Sequence, residues 1–227
     1  MNFAQLYAEL EADRAWREEE VRTFQNRGAK LDNENDRRRY RRALVLLLYA
    51  HYEGFCKFAL TLYASAVNRS GISCGKASYA IAAASLADLF RDLRNPEKKS
   101  SIFRRVLPED AKLHRFAREH EFIELAAELE KRPVNIPDDA VDTESNLTPV
   151  VLRKNLYRLG LPHDKFDSHK SEINKLLGVR NGISHGSLKD GVEEKLYREL
   201  RSATYSIMSG LSTDLMKALH DSAYRRA

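Results

Sequence analysis

The chain has 227 residues, 43% hydrophobic and 31% charged, enough apolar material for one large domain with a core and enough charge to keep its surface in water. Ten Gly and six Pro are too few for an all-β fold made of tight turns, and the abundance of Leu, Ala, Glu, Lys and Arg points to helices. The net charge of +5 is compatible with a nucleic-acid partner without requiring one. Cys56 and Cys74 make no metal-binding spacing and fit a reduced, cytoplasmic protein. The N-terminal residues lack the basic and apolar regions of a signal peptide, and the longest apolar run, Ala43 to Ala50, is too short to span a bilayer, so no membrane partner is expected.

In chain order, the first predicted helix runs from about Asn2 to Gln25, with Phe3, Leu6, Tyr7, Leu10, Val21 and Phe24 on a broken three-four rhythm and Gly28 as its stop. The second begins between Asp32 and Asn35 and reaches Asn68, keeping Leu44, Leu47, Leu48, Phe55, Phe58, Leu62 and Tyr63 on one wide face. A third covers Ala77 to Arg94, a short one Ile102 to Leu107, and a fourth Glu109 to Lys131. Arg132 to Asn146 reads as a loop with an acidic stretch from Asp138 to Glu144. Thr148 and Pro149 form a cap and first turn for a helix to Leu159. Another helix spans Asp167 to Arg180, and the last runs from Val192 to Tyr224 with apolar residues every three or four positions. The reading is an all-α bundle in a single domain over residues 1–227, with long helices near both ends and a helical and loop insertion over approximately 95–147.

The chemistry concentrates in Val179-Arg180-Asn181-Gly182-Ile183-Ser184-His185-Gly186. Arg presents a planar fork of donors suited to phosphate and holds its charge at any physiological pH. His can take and give a proton near neutrality. Together they are what phosphodiester cleavage needs without a metal. Arg180 shares a helical face with Ile173, Leu176 and Leu177, so its guanidinium calls for a carboxylate or phosphate partner. His185 is about 140° further round an unbroken helix, so the two groups do not converge on one ideal helix. Either Gly182 and Gly186 bend the chain or a second subunit completes the site. The plainer alternative is a structural ion pair at Arg180 and a helix cap at His185.

Glu53 stands alone as an acid in an apolar, aromatic stretch, beside Gly54, which allows a neighbouring helix to approach. It is a candidate partner for Arg180, and equally a candidate for an i,i+4 pair with Lys57. Arg37, Arg38, Arg39, Arg41 and Arg42 surround Tyr40 on most sides of a helix. Arg37, Arg38, Arg41 and Lys57 are candidate RNA-backbone contacts, although a solvated helix end near Asp32, Glu34 and Asp36 is the simpler reading of the run. His120 to Glu124 lacks the second His of a zinc-protease helix, Gly71 to Ala77 falls short of a phosphate-binding loop, and His163 and His169 have no ligand spacing. No metal and no cofactor is expected.

The chain resembles the HEPN superfamily of small helical bundles, many of them ribonucleases. The resemblance is carried by Arg180 to Gly186, which fits an R-x(4–6)-H motif with Asn after the Arg. Ala50-His51-Tyr52-Glu53-Gly54-Phe55-Cys56-Lys57 is similar to a segment of one stand-alone prokaryotic branch, and Asn146-Leu147-Thr148-Pro149 through Leu161 resembles a third segment. The resemblance implies a metal-independent endoribonuclease with Arg180 and His185 catalytic and Asn181, Glu53 and Ser184 supporting. It also implies a homodimer with two motifs in one cleft, RNA as substrate, and a toxin or antiviral defence role with an antitoxin or defence-system partner. Some members only bind RNA or a partner protein, which is the alternative function.

Overall fold

The computed structural model describes residues 2–226, so Met1 and Ala227 at the ends of the expected domain lie outside it. Among the described residues there are eight α-helices, two short 3-10 turns and two isolated β-bridges, and no sheet. The long helices are α1 (Phe3–Gly28), α2 (Glu34–Arg69) and α8 (Glu194–His220), joined by α7 (Lys170–Ser184) into a four-helix core. Between them lie α3 (Tyr79–Ser85), α4 (Ala87–Arg94), α5 (Ala111–Ala127) and α6 (Pro149–Arg158).

Helix α2 is the centre of the bundle, packed by α1, α7 and α8. Asn33 caps it by accepting from the Asp36 backbone N–H at 2.8 Å, worth about 1 kcal/mol. Leu48, Tyr52, Phe55, Ala59 and Leu60 are all but sealed from solvent along it, facing Leu200, Ile207, Leu211 and Leu215 of α8 in the same core. One window of α2 is long and apolar enough to cross a bilayer, yet 56% of that window is buried inside the bundle, as a core helix requires.

Several predicted elements are corrected. Helix α1 continues through Gly28, whose missing side chain admits the ring of Tyr40: an added Cβ would meet Tyr40 Cδ1 at 2.5 Å. Leu6, Leu10 and Val21 are buried as the rhythm predicts, but Phe3, Tyr7 and Phe24 are exposed. The helix expected over Ala77 to Arg94 breaks at Leu86, where buried Ser85 turns its hydroxyl to accept from the Asn135 backbone N–H at 2.8 Å. Ile102 to Leu107 forms turns, not a helix; with Ile102 and Val106 exposed it has no buried face to repay helix nucleation. Helix α5 is shorter than predicted, and Phe116, Ile123 and Leu125 on it face solvent.

Within residues 95–147, α5 packs chiefly on α4, whereas Val134, Ile136, Val141 and Leu147 join the main core. That return to the core carries the chain to α6, whose Thr148 cap accepts from Val151 N–H at 3.1 Å. Helix α7 starts after a 3-10 turn at Asp167–His169 and runs past Arg180 to Ser184.

Candidate active site

Ile173, Leu176 and Leu177 hold one face of α7 in the core, and Arg180 follows them on that face, half-buried. Its Nη1 donates to Asn146 Oδ1 at 3.0 Å and to Asn181 Oδ1 at 2.8 Å. The guanidinium carbon lies 4.9 Å from the centre of the Tyr49 ring, a cation–π distance. Three parts of the chain therefore meet at one arginine: α2 through Tyr49, the loop before α6 through Asn146, and α7 itself.

Asn146 is aimed by a costly turn. Glu144 and Ser145 both adopt left-handed backbone, with φ of 48° and 68°. Each such non-glycine residue costs about 1–3 kcal/mol, so the surroundings must hold the turn in place. They do so through the buried side chain of Leu147, through the Leu147 N–H donated to the Tyr49 hydroxyl at 3.0 Å, and through the Lys154–Glu144 ion pair at 3.0 Å. Burial first, and then the neighbouring Glu53 carboxylate, push the Tyr49 phenol up to about 12, with Arg180 opposing. Tyr49 thus stays a neutral phenol at physiological pH.

Glu53 follows Tyr49 by one turn of α2, where its carboxylate helps to raise the Tyr49 phenol. Among the described residues Glu53 has no ion pair within 4.0 Å, so both the expected pair with Arg180 and the alternative with Lys57 are corrected. The reason is that Arg180 keeps a solvent-exposed side and finds amide oxygens on the other, so it needs no carboxylate. Gly54 does allow a close approach, by Arg17 of α1, whose Nη1 lies 2.7 Å from where a Cβ would stand.

His185 caps the C-terminal end of α7 and is exposed, with no side-chain hydrogen bond among the described residues. Gly186 follows with φ of 72°, closing the helix through its N–H to Ile183 O at 3.1 Å. The Leu188 N–H and the Ser187 hydroxyl both donate to Gly182 O, at 2.9 and 3.2 Å. Gly186 and the bonds to Gly182 O thus close the helix at its His185 cap. Ser184 is exposed on the last helical turn and makes no side-chain hydrogen bond among the described residues, whereas Asn181 is joined to Arg180.

The basic run of α2 has a different task. Arg41 is buried, donates from Nε to Val192 O at 2.8 Å and pairs with Glu34. Arg38 pairs with Glu193 at 2.9 Å, Arg42 donates to Lys189 O at 2.8 Å, and Arg37 donates to Leu31 O at 3.0 Å. These arginines clamp the segment that follows the Arg/His motif and the turn before α2. The expected RNA contact at Arg41 is thereby corrected, and Arg37 and Arg38 are already engaged by protein groups. Lys57 is exposed, beside a shallow groove with Phe58, Thr61 and Leu62. Tyr49 and Asn146 are the residues that the sequence left without a role. No cluster of His, Cys, Asp or Glu able to hold a metal occurs among the described residues.

A family model, the MAE_28990-like HEPN domain, matches residues 6–224, nearly the whole chain. The chain belongs to the HEPN superfamily. No curated protein and no solved structure matches it. In this HEPN domain Asn146 of one segment of the resemblance and Asn181 of another meet at the Arg180 guanidinium, and Tyr49, just before the third segment, lies under it.

Proposed function

We propose that this HEPN protein is a metal-independent endoribonuclease in which Arg180 and His185 are catalytic. The observation that carries the reading is the kind of support Arg180 receives. Its acceptors are neutral amides and its ring contact is a neutral phenol, so its positive charge is oriented without being cancelled. Arg38 and Arg41, which serve the fold, are paired with carboxylates, and Arg180 is not. Among the described residues its Nε and Nη2 make no hydrogen bond and remain free for phosphate oxygens.

In the reaction, neutral His185 removes the proton of a ribose 2′-hydroxyl, whose oxygen attacks the adjacent phosphorus. Arg180 stabilises the charge growing on the nonbridging oxygens. The leaving 5′-oxygen takes a proton from the second His185 of a homodimer, and the products are a 2′,3′-cyclic phosphate and a 5′-hydroxyl. The dimer is supported by spacing: five residues separate Arg180 from His185, about 140° on an ideal helix, so a site using both is best assembled from two copies. Asn181 and Asn146 orient Arg180, and Glu53 acts at one remove through Tyr49. Kinship with HEPN ribonucleases supports a role as a cytoplasmic toxin or antiviral defence effector, restrained by an antitoxin or defence-system partner.

The test is His185→Ala. Because the side chain is exposed and unbonded, the variant keeps its fold and loses RNA cleavage by about 10²-fold or more. Wild-type cleavage by the folded variant contradicts the assignment and favours a HEPN module that only binds RNA or protein.

A further inference from the structure

At the far end of α6 from Asn146 lies a groove of about 780 Å³ between α3, α4, α6 and the loop from Pro137. Its volume falls within the range of about 300–1,000 Å³ that holds small ligands. The floor is made of methyl groups, Ala80, Ala83, Ala84 and Ala87, which leave room for a flat object to lie close to the α3–α4 backbone. Two largely exposed tyrosines stand in it: Tyr79 is 76% exposed, and Tyr157 is 68% exposed with His163 edge-on to it at 5.7 Å. Rings of this size are normally covered, and these two are offered to the groove.

The lining carries both charges, Arg94 and Arg158 beside Asp139 and Asp142, with further cations at one end. Arg94 and Arg158 line the groove, and the Arg226 guanidinium lies 4.5 Å from the centre of the Tyr79 ring. The Arg226 N–H bonds to Lys76 O at 2.9 Å, which brings Lys76 and Arg225 to the same end. None of these cations is ion-paired among the described residues. Asp139 and Asp142 are the opposing charges, both on the side of the loop that leads to Asn146. Exposed aromatic faces with free guanidinium and ammonium groups around them match stacked bases and a phosphate backbone.

We propose that this groove is a single-stranded RNA exosite, in which bases stack on Tyr79 and Tyr157 over the alanine floor and Arg94, Arg158 and Arg226 take the phosphates. The proposal rests on the ribonuclease reading for its purpose. Tyr157 is about 12 Å along α6 from Pro149, next to the loop that carries Asn146, a distance a few nucleotides span. The exosite holds the strand while Arg180 and His185 act on it. It sets affinity for long RNA and leaves the chemical step alone.

The experiment uses the full chain. Binding of a fluorescein-labelled, mixed-sequence single-stranded RNA is measured by anisotropy in the His185→Ala background. The double variant Tyr79→Ala/Tyr157→Ala and the groove-filling Ala83→Trp are compared with it, after circular dichroism shows all to be folded. Each is expected to weaken binding about tenfold. With His185 present, the double variant is expected to raise KM for the long RNA by about the same factor and to leave kcat and the cleavage of a dinucleotide unchanged. Unaltered affinity in both variants overturns the exosite. RNA that binds through the tyrosines but is never cut by the wild type overturns the ribonuclease reading instead, and leaves the groove as an RNA site.

Discussion

Two arginine-bearing regions of this protein lie close together and do opposite things with their charge. At the start of α2, Arg38 and Arg41 are paired with Glu193 and Glu34, and Arg37, Arg41 and Arg42 donate to main-chain oxygens. Their charge is consumed in holding the segment after the motif. At the end of α7, Arg180 is positioned by amide oxygens and an aromatic face, and its charge is conserved. A carboxylate partner, present at Arg38 and Arg41 and absent at Arg180, is what distinguishes the two regions, not the density of positive charge.

The largest expected effect is functional. Arg180→Ala lowers RNA cleavage by about 10²–10³-fold, measured as kcat/KM, with little change in melting temperature. Arg41→Ala does the reverse: loss of a buried donor to Val192 O and Glu34 costs about 1–3 kcal/mol in chemical denaturation, while activity per folded molecule is kept. If the two variants give the same profile, the distinction between the regions fails.

Asn146→Asp makes the comparison sharper, because it hands Arg180 the carboxylate it lacks. Cleavage falls about tenfold or more as the new ion pair competes with substrate phosphate, although the fold is kept. Asn146→Ala falls less, since Asn181 and Tyr49 still orient the guanidinium. Equal activity of the Asp variant and the wild type would show that the charge of Arg180 is not used.

Smaller effects test the supports. Ser145→Gly removes a left-handed strain at φ 68° and is expected to stabilise the protein by up to about 1 kcal/mol in urea titration. Two residues beyond Tyr49 on α2, burial depresses the His51 pKa, with Glu20 at 2.8 Å opposing. The folded state therefore binds this proton less readily than the unfolded chain. This contribution is complete above the unfolded histidine value of about 6.5 and is lost as pH falls from there toward the folded value. His51→Gln should flatten that slope; an unchanged slope assigns it to other groups.

Much of the bundle was legible because long core helices repeat their apolar residues. The Leu and Phe positions of α2 and the Leu positions of α8 describe a buried stripe however the rest is arranged. Periodicity was misleading where no partner surface exists, as at Ile102 and Val106, and at Phe116 and Ile123 on α5. It also missed the break at Leu86, which depends on Asn135 reaching Ser85 from a remote loop. Arg180 and His185 stood out as a motif, but their environment did not. Whether Glu53 would meet Arg180 turned on how far the guanidinium is buried, and the fate of Arg41 turned on Val192, far away in the chain. Asn146 was hidden because its direction comes from two left-handed residues that are neither glycine nor asparagine.

The central claim is metal-independent cleavage by attack of a ribose 2′-hydroxyl. Its most direct measurement is cleavage of a single-stranded RNA by the wild-type protein in excess chelator, with the ends identified by mass spectrometry and one mapped cleavage site replaced by a 2′-deoxy nucleotide. The account predicts 2′,3′-cyclic phosphate and 5′-hydroxyl ends, full activity in chelator, and no cut at the 2′-deoxy position. Cleavage that needs Mg²⁺ or Mn²⁺, or that proceeds through the 2′-deoxy position, contradicts it.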